Sequence, residues 1–360
     1  MKKLQINLFL NFRIENRISM DVVSNITSEY IKKFNKNVQV NKIIPKNFFI
    51  TNYLKDTFLF KYLMRIERYI HYPLQIKKLK YADISIIIDH QYAHLVKKIN
   101  SKFKYIYVHD LVPFIFRKKL RKFPYLLNYS MSFLKYFDSV FAMSNNTRKD
   151  IIRFTNCPKK KIIVSYESIE NFFNSKKINK VDICKKYNIP IKKKRILVHL
   201  SRGKKNPNYF IKNPDIVFKT INLLLKRNKN LTFINLGGKI DFSENKDLKK
   251  NFHILPFLKR QDLPKIYKIC DILFFPSIYE GFGLPLLESM KCGLPIISSD
   301  NSSIPEIVGD AAILHKNNDH ISFVNSIENL LKNKSLRNKL IKNGFKQSKK
   351  FDPNKIYKFV

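Results

Sequence analysis

The segment 271–314, DILFFPSIYEGFGLPLLESMKCGLPIISSDNSSIPEIVGDAAIL, decides the fold. It runs in the order apolar strand, glycine loop, helix, apolar strand, with the strands predicted at 272–275 and 295–298 and the helix opened by Pro285. Strands that alternate with amphipathic helices are typical of a parallel sheet covered by helices. The segment therefore predicts an α/β lobe with a ligand loop at the end of one strand.

The glycine loop has the composition of a phosphate-binding loop. Gly281 and Gly283 flank Phe282, so the backbone can adopt angles that a side chain would forbid and can approach a ligand closely. The helix that follows presents unpaired N–H groups and a partial positive charge, which suits a diphosphate. Glu280 and Glu288 bracket the loop and can reach opposite ends of one bound ligand.

The same residues carry a family resemblance. The segment EGFGLPLLE resembles the signature of the retaining glycosyltransferases of family 4, which is Glu, seven residues, Glu. The resemblance implies that Glu280 lies near the donor sugar and the transferred carbon, and that Glu288 holds the ribose hydroxyls. It also implies that the intervening amides contact the diphosphate and sugar, namely those of Gly281, Phe282, Gly283 and Leu284.

Two cations are expected to neutralise the leaving diphosphate, as the resemblance implies. Arg202, at the end of RILVHLSR, matches the arginine. Lys205 and Lys212 both resemble the position of the lysine. We favour Lys212, because the residues after it read as a helix with Asn213 as cap and Pro214 at the first position.

Short apolar runs alternate with amphipathic stretches over most of the chain, in two series. Between the series lies a polar, basic stretch in which a domain junction is expected. The predicted strands are 4–9, 84–88, 105–108, 139–142 and 162–164 in the first series, and 196–200, 231–236, 252–255, 272–275 and 295–298 in the second.

These series predict an α/β fold with two Rossmann-like doubly wound lobes facing across a cleft, and the resemblance to family 4 implies that the fold is of GT-B type. The expected boundaries are 1–170 for an acceptor-side domain, 171–192 for the linker and 193–345 for the domain that binds the nucleotide sugar. Residues 346–360 are expected to form a terminal helix that packs back on the first lobe.

The first lobe carries candidate acceptor-side and catalytic residues. His109 in YVHDLVP follows a predicted strand and matches the histidine that family 4 enzymes place beside the donor sugar. His90, Asp110 and Ser144 lie in segments that resemble the family and are candidates for the acceptor side. For His94, packing and ligand contact remain equal alternatives.

Two motifs are absent or incomplete. HQYAH at 90–94 has Gln91 where the HExxH zinc motif has its general base, and no DxD motif stands in a suitable strand context. We therefore expect no metal and no cofactor, the nucleotide sugar being the donor substrate. The stretch NRISMDVVSNITSEYI lacks the glycine pair common in the family and is predicted to begin a helix capped by Ser19.

Charge and cysteine content constrain partners and compartment. The net charge of +42 favours phosphate-bearing partners, although compositional bias explains it equally well. The four cysteines form no CxxC pair, and no stretch approaches the roughly 20 apolar residues that span a bilayer. We expect a cytoplasmic protein that is peripheral on the inner face of the cytoplasmic membrane, with no specific nucleic-acid partner.

The segment 114–137, FIFRKKLRKFPYLLNYSMSFLKYF, is the densest interleaving of basic and aromatic residues. It predicts docking on an anionic membrane, and a solvated surface of the lobe is the alternative. The cations expected to face phosphates are Arg117, Lys118, Lys119, Arg121 and Lys122, and the aromatic residues expected at the headgroups are Phe114, Phe116, Phe123 and Tyr125.

The resemblance thus implies transfer of a hexose from a nucleotide-diphosphate sugar (GDP-mannose or UDP-sugar type) to a glycan or lipid-linked hydroxyl with retention, in envelope polysaccharide or lipopolysaccharide synthesis. A GT-B epimerase or phosphorylase is one alternative. A non-catalytic basic protein that binds membrane or nucleic acid is another.

Overall fold

The computed structural model describes residues 3–55, 57–120, 124–200, 209–236, 238, 240, 242–243 and 246–356. The chain divides into two units. The first contains the described residues up to Ser168 together with the last described segment from Pro353, and the second is Ile169–Asp352. The predicted linker 171–192 lies within the second unit.

The first unit is built on a parallel sheet, since apolar runs at its strand positions are buried while helices follow them along the chain. In the described residues this sheet has six strands in the order β2-β1-β3-β4-β5-β6. They are β1 (Leu4–Phe9), β2 (Val38–Ile43), β3 (Ala82–Ile87), β4 (Ser101–Val108), β5 (Ser139–Ala142) and β6 (Ile162–Val164).

The second unit repeats this architecture. Its sheet is also parallel, and the described residues form six strands in the order β12-β11-β10-β7-β8-β9. They are β7 (Lys194–Val198), β8 (Leu231–Leu236), β9 (Phe252–Leu255), β10 (Ile272–Phe275), β11 (Ile296–Ser299) and β12 (Ala312–His315). The prediction of two Rossmann-like α/β lobes is confirmed.

Helices connect the strands in both units. In the first unit they are α1 (Ile18–Phe34), α2 (Phe49–Tyr53), α3 (Phe60–Ile66), α4 (Tyr72–Ile76), α5 (Val112–Ile115), α6 (Tyr125–Met131), α7 (Asn145–Phe154) and, at the other end of the chain, α15 (Pro353–Ile356). In the second unit they are α8 (Lys180–Lys186), α9 (Pro214–Arg227), α10 (Leu263–Ile269), α11 (Leu284–Cys292), α12 (Ile304–Val308), α13 (His320–Lys332) and α14 (Lys334–Ser348).

The terminal segment does not form one helix. Residues up to Ser348 continue α14 and belong to the second unit, whereas α15 contacts α1 within the first unit. Lys33 Nζ donates a hydrogen bond of 2.8 Å to Asn354 Oδ1 at this contact.

Two strands, β2 and β12, were not predicted, and both are edge strands of their sheets. No residue of either strand is fully buried, whereas the other two edge strands, β6 and β9, contain buried residues and were predicted. The central strands carry the long apolar runs that periodicity detects. Their predicted positions agree with the structure, apart from shifts of one or two residues at several ends and a longer β4.

Of the two predicted helix caps, Ser19 is wrong, whereas the N-cap position of Asn213 is confirmed. Ser19 lies inside α1, which begins at Ile18 after Arg17. Asn213 does precede α9, but it has a left-handed backbone (φ 56°) and its side chain makes no capping hydrogen bond. That side chain donates instead to backbone carbonyls of other loops, as described below.

Each unit has its own apolar core. Phe114 belongs to the core of the first unit, where its ring stacks on Phe154 with centroids 6.0 Å apart. The expectation that Phe114 enters a membrane is therefore wrong, since its side chain is occupied inside the fold. Among the described residues, none of the helices has the length and apolar content needed to cross a bilayer.

Candidate functional site

The glycine loop after β10 leads directly into α11. Gly283 adopts a left-handed backbone (φ 100°) and immediately precedes the helix, whose first residues are Leu284 and Pro285. A Cβ atom on Gly283 would lie 3.0 Å from Leu286 Cδ1. The backbone angle therefore favours glycine at this position, and a side chain would in addition press on Leu286.

Two serines after β11 hold the loop in place. Ser302 Oγ accepts a hydrogen bond of 2.9 Å from the Glu280 amide. Ser303 Oγ lies 2.9 Å from the carbonyl of Glu280 and 3.0 Å from that of Phe282. The loop is thus fastened through its backbone, which leaves the carboxylate of Glu280 for other contacts.

Lys212 and Glu280 form an ion pair. Lys212 Nζ lies 2.6 Å from Glu280 Oε1, and both side chains are partly exposed, at 24% and 14%. The ammonium group also lies 4.8 Å from the centroid of the Phe275 ring. Because an ammonium has three donors, Lys212 can keep this pair and still bind an anion.

The position of Lys212 is set by its neighbours in the chain. It ends a 3₁₀-helix, Tyr209–Lys212, and Asn213 follows it. Asn213 Nδ2 donates one hydrogen bond of 3.1 Å to the carbonyl of Pro276 and another of 2.6 Å to the carbonyl of Asn317. These bonds tie the segment that carries Lys212 to the loop that carries Glu280.

Glu288 is buried in α11 and both of its carboxylate oxygens are engaged. Arg260 Nη1 donates to Oε1 at 2.6 Å, and the Tyr267 hydroxyl donates to Oε2 at 2.6 Å. Tyr267 has no exposed surface, and burial together with the charge of Glu288 raises the pKa of its phenol. Each carboxylate oxygen can accept a further bond, so Glu288 is oriented and still able to bind hydroxyls.

Arg260 is shared between two carboxylates. Its Nε and Nη2 atoms each lie 3.0 Å from one oxygen of Glu170, in the paired geometry typical of arginine and carboxylate. Burial alone would lower the pKa of Arg260, but Glu288 and Glu170 outweigh it and raise the pKa. Arg260 is therefore a permanent cation that neutralises Glu288.

His199 connects the two parts of the site. Its Nε2 atom lies 3.2 Å from the Tyr267 hydroxyl. Tyr267 has one proton and donates it to Glu288, so His199 must donate from Nε2. Burial, with the charge of Lys212, lowers the pKa of His199 to about 3. The imidazole is therefore neutral at neutral pH.

In the first unit, His109 follows β4 and is buried. Its Nδ1 atom lies 2.8 Å from Glu167 Oε1, and its Nε2 atom lies 2.7 Å from the carbonyl of Ile88. Burial acts to lower the pKa of His109, but Glu167 outweighs it and raises the pKa. Both ring nitrogens are occupied within the unit, and the predicted role beside a donor sugar stays a prediction.

The acceptor-side candidates have different environments. His90 is buried beside Asp89, at 3.6 Å, and its Nδ1 atom has no hydrogen-bond partner in the described residues. Asp110 Oδ1 accepts from the Val112 amide at 3.1 Å. Ser144 is fully buried and its hydroxyl caps α7. Roles for these residues toward an acceptor stay predictions.

His94 has the packing role that was one of its two alternatives. It is buried, its ring stacks on Tyr69 with centroids 4.6 Å apart, and its Nε2 atom bonds the carbonyl of Arg68 at 2.9 Å. Burial lowers the pKa of His94 to about 4, so the ring is neutral at neutral pH.

The structure thus brings Lys212 to Glu280 and surrounds Glu288 with Arg260 and Tyr267. Arg202 and the alternative Lys205 lie outside the described residues. Sequence reasoning missed Arg260 and Tyr267, although the segment 258–271, LKRQDLPKIYKICD, contains both and immediately precedes β10. Within the described ranges, no cluster of three or more His, Cys, Asp or Glu residues could hold a metal ion.

Comparison with known proteins identifies the second unit. Residues 184–347 match the family model of glycosyl transferases group 1. That range includes Lys212, Glu280 and Glu288 with their partners from Arg260 to Ser303. The second unit therefore contains a glycosyl transferases group 1 domain.

Several relatives are mannosyltransferases. The chain is 39% identical over 97 residues to O-antigen chain mannosyltransferase B of Escherichia coli, which covers 27% of this chain and 26% of that protein. It is 25% identical over 258 residues to the serotype-specific mannosyltransferase WbdA of Escherichia coli, and the match covers 68% of this chain and 31% of that protein. It is 28% identical over 231 residues to O-antigen chain mannosyltransferase RfbU of Salmonella typhimurium, and the match covers 62% of this chain and 60% of that protein. The chain therefore spans less than two thirds of the length of these relatives.

Solved structures share the fold over almost the whole chain. Anabaena Alr3699/HepE in complex with UDP and glucose superposes with a TM-score of 0.71 at 16% identity, covering 98% of this chain and 97% of that one. Sucrose-phosphate synthase from Thermosynechococcus elongatus superposes with a TM-score of 0.73 at 15% identity, covering 99% of this chain and 96% of that one. The fold is accordingly of the GT-B type.

Proposed function

We propose that the chain is a glycosyltransferase that moves a hexose from a nucleotide-diphosphate sugar to a hydroxyl of a glycan or lipid-linked acceptor, with retention of the α-configuration. One observation carries the proposal. The glycine loop, the Lys212–Glu280 pair and the buried Glu288 stand together at the carboxyl ends of β7 and β10, where α/β sheets bind ligands.

The electrostatics of this arrangement suit loss of a nucleoside diphosphate. Negative charge builds on the diphosphate as the bond to the sugar breaks, and the amino end of α11 and Lys212 would stabilise it, with Arg202 as the second cation. The anomeric carbon becomes cationic, as in other oxocarbenium-like reactions. Glu280 would orient the sugar beside that carbon, and we assign no covalent nucleophile.

Glu288 would bind the ribose hydroxyls of the nucleotide. Arg260 and Tyr267 fix its carboxylate in one orientation, so binding does not have to restrict a free side chain. The guanidinium of Arg260, 2.6 Å from Glu288 Oε1, offsets the cost of burying the carboxylate.

Several finer assignments belong to this proposal. Mannose from GDP-mannose is the first donor to test, since three of the relatives described above are mannosyltransferases, and UDP-sugars are the second. O-antigen or another envelope polysaccharide is the proposed product class. We also propose action without a metal, a cytoplasmic location peripheral to the membrane, His109 beside the sugar, and His90, Asp110 and Ser144 on the acceptor side.

The test is release of nucleoside diphosphate from a panel of nucleotide sugars, with the anomeric configuration of the product read by proton NMR. Glu280→Gln should lower turnover by roughly two orders of magnitude or more. The matched control is Glu328→Gln on α13, which removes the same charge from an ion pair with Arg227 of α9. Release from no donor, or equal activity in both variants, would refute the proposal. A product with inverted configuration would refute only retention, and an epimerised sugar nucleotide would favour the epimerase alternative.

A further inference from the structure

The first unit exposes an apolar face that its core does not use. Helices α3 and α4 are joined by a π-helical turn, Glu67–His71, so that residues 60–76 form one continuous helical segment. Tyr62, Ile66, Ile70 and Leu74 follow each other at intervals of four residues along it, and we call them the apolar stripe. Each has between 45% and 56% of its surface exposed.

The four-residue spacing keeps these side chains on one side of the segment. Four residues exceed a turn of an α-helix by about 40°, so such a stripe would drift around the helix. The π-helical turn in the middle contains more residues per turn and offsets part of the drift. The opposite side carries Met64, Tyr72 and Ile76, which are buried in the core. The segment therefore has two apolar sides, of which one is buried in the core and the other faces solvent.

The short helix α2, which is held by a buried carboxylate, exposes two further aromatic side chains. Glu67 has no exposed surface, and it accepts hydrogen bonds from the Phe48 amide at 2.6 Å and from Thr51 Oγ1 at 2.8 Å. These bonds fasten α2, which contacts α3 and exposes Phe49 and Tyr53 by more than 80%. Such large aromatic exposure on an anchored element is typical of a docking surface.

The exposed charges described around the stripe are positive. Among the described residues of 46–80, Glu67 is the only acidic residue, and it is buried. The same stretch exposes six lysines, which are Lys46, Lys55, Lys61, Lys77, Lys78 and Lys80. Apolar and aromatic side chains flanked by lysines fit an anionic bilayer surface. A second copy of the chain would bring this positive charge against itself, which disfavours a dimer through this face.

We propose that the apolar stripe, with Phe49 and Tyr53, docks on an anionic lipid bilayer. The side chains of the stripe enter the headgroup boundary, while Lys61, Lys77 and Lys78 contact lipid phosphates. This docking rests on the peripheral membrane location that is part of the proposed function, and it adds which surface contacts the membrane. It does not depend on the transfer reaction. It places the docking surface on α2–α4, whereas the sequence indicated 114–137.

Vesicle flotation of the full chain tests this, with phosphatidylcholine alone and with increasing phosphatidylglycerol. Binding is expected only with the anionic lipid. Lys61→Gln/Lys77→Gln/Lys78→Gln should weaken it about 100-fold, since each cation near such a surface contributes about fivefold. The matched control, Lys102→Gln/Lys159→Gln/Lys160→Gln, removes the same charge from exposed sites elsewhere in the unit and should change binding less than about threefold.

A second pair of variants tests the apolar contribution. Ile70→Gln/Leu74→Gln should weaken binding at least tenfold, whereas Phe103→Gln/Ile163→Gln, at exposed positions on β4 and β6, should not. All four side chains are partly exposed, and circular dichroism would verify that each variant is folded. The variant Arg117→Gln/Lys118→Gln/Lys119→Gln compares the surface that the sequence indicated.

Three results would overturn the inference. They are binding that ignores lipid charge, binding lost only in the variant at residues 117–119, and concentration-dependent dimerisation that the stripe variant abolishes. Diphosphate release with a water-soluble acceptor, measured without vesicles, separates the two proposals. Retained activity in variants that no longer float would support docking alone, whereas intact flotation without activity toward any donor would refute only the proposed function.

Discussion

Replacing Tyr267 by phenylalanine removes one oxygen atom from the centre of the candidate site and leaves the volume of the side chain nearly unchanged. The hydroxyl donates to Glu288 Oε2 at 2.6 Å and lies 3.2 Å from His199 Nε2. The variant therefore leaves two partly or fully buried polar atoms each short of one partner. Glu288 keeps its bond to Arg260 at the other oxygen.

The cost follows from these contacts. A hydrogen bond to a charged group contributes about 1.5–3 kcal/mol, and the neutral bond to His199 adds less. We expect Tyr267→Phe to lower the free energy of unfolding by about 2.5 kcal/mol. If Glu288 binds ribose, its carboxylate also becomes less well oriented, and the affinity for GDP or UDP should fall about tenfold, or ~1.4 kcal/mol.

Urea denaturation and calorimetric titration of the nucleotide measure the two effects separately. Tyr187→Phe, at a partly exposed tyrosine of the same unit, is the matched control. In a Glu288→Ala background, Tyr267→Phe should have no further effect on nucleotide affinity, because it acts through that carboxylate. Unfolding within about 0.5 kcal/mol of the parent, with unchanged nucleotide affinity, would refute the reasoning.

Three further outcomes are expected. Lys212→Ala should lower turnover by roughly two to three orders of magnitude and Lys205→Ala much less, and the reverse order in steady-state assays would move the lysine to the earlier position. Gly283→Ala should lower activity at least tenfold, or ~1.4 kcal/mol, because its φ of 100° strains any side chain; unchanged kinetics would show that the loop relaxes. His94 and His199 have folded pKa values lowered to about 4 and about 3, so the unfolded chain binds more protons below pH 6.5. Each histidine should therefore lower the free energy of unfolding by ~2 kcal/mol as the pH falls from 7 to 5. Urea denaturation that gives equal free energies of unfolding at both pH values would contradict this.

The central strands and the glycine loop could be predicted from the sequence, because their signals are local. A central strand of a parallel sheet is buried on both faces and reads as an apolar run, as at Ile272–Phe275. The backbone angle of Gly283 and the start of α11 follow from the order of glycine and proline. The edge strand Val38–Ile43 was missed because polar side chains interrupt its sequence VQVNKI, whereas Ala312–His315 was missed although it begins with three apolar residues.

What the side chains do in the site depended on residues that are distant in sequence. Glu288 was predicted as a ligand of ribose, but its partners Arg260 and Tyr267 come from the segment before β10 and meet it only when α10 packs against α11. Asn213 was predicted as a cap, yet its amide binds the carbonyl of Asn317, 104 positions away.

Local pattern thus determined the two α/β lobes, the loop and the candidate residues, since backbone conformation and burial follow from neighbouring side chains. Only the tertiary structure decided which charges pair. The contact between Lys212 and Glu280 joins residues 68 positions apart, and the separate loops that carry them meet only at the carboxyl edge of the folded sheet. Side-chain hydrogen bonds depend on positions within a few tenths of an ångström, and such positions are set by packing of the whole unit.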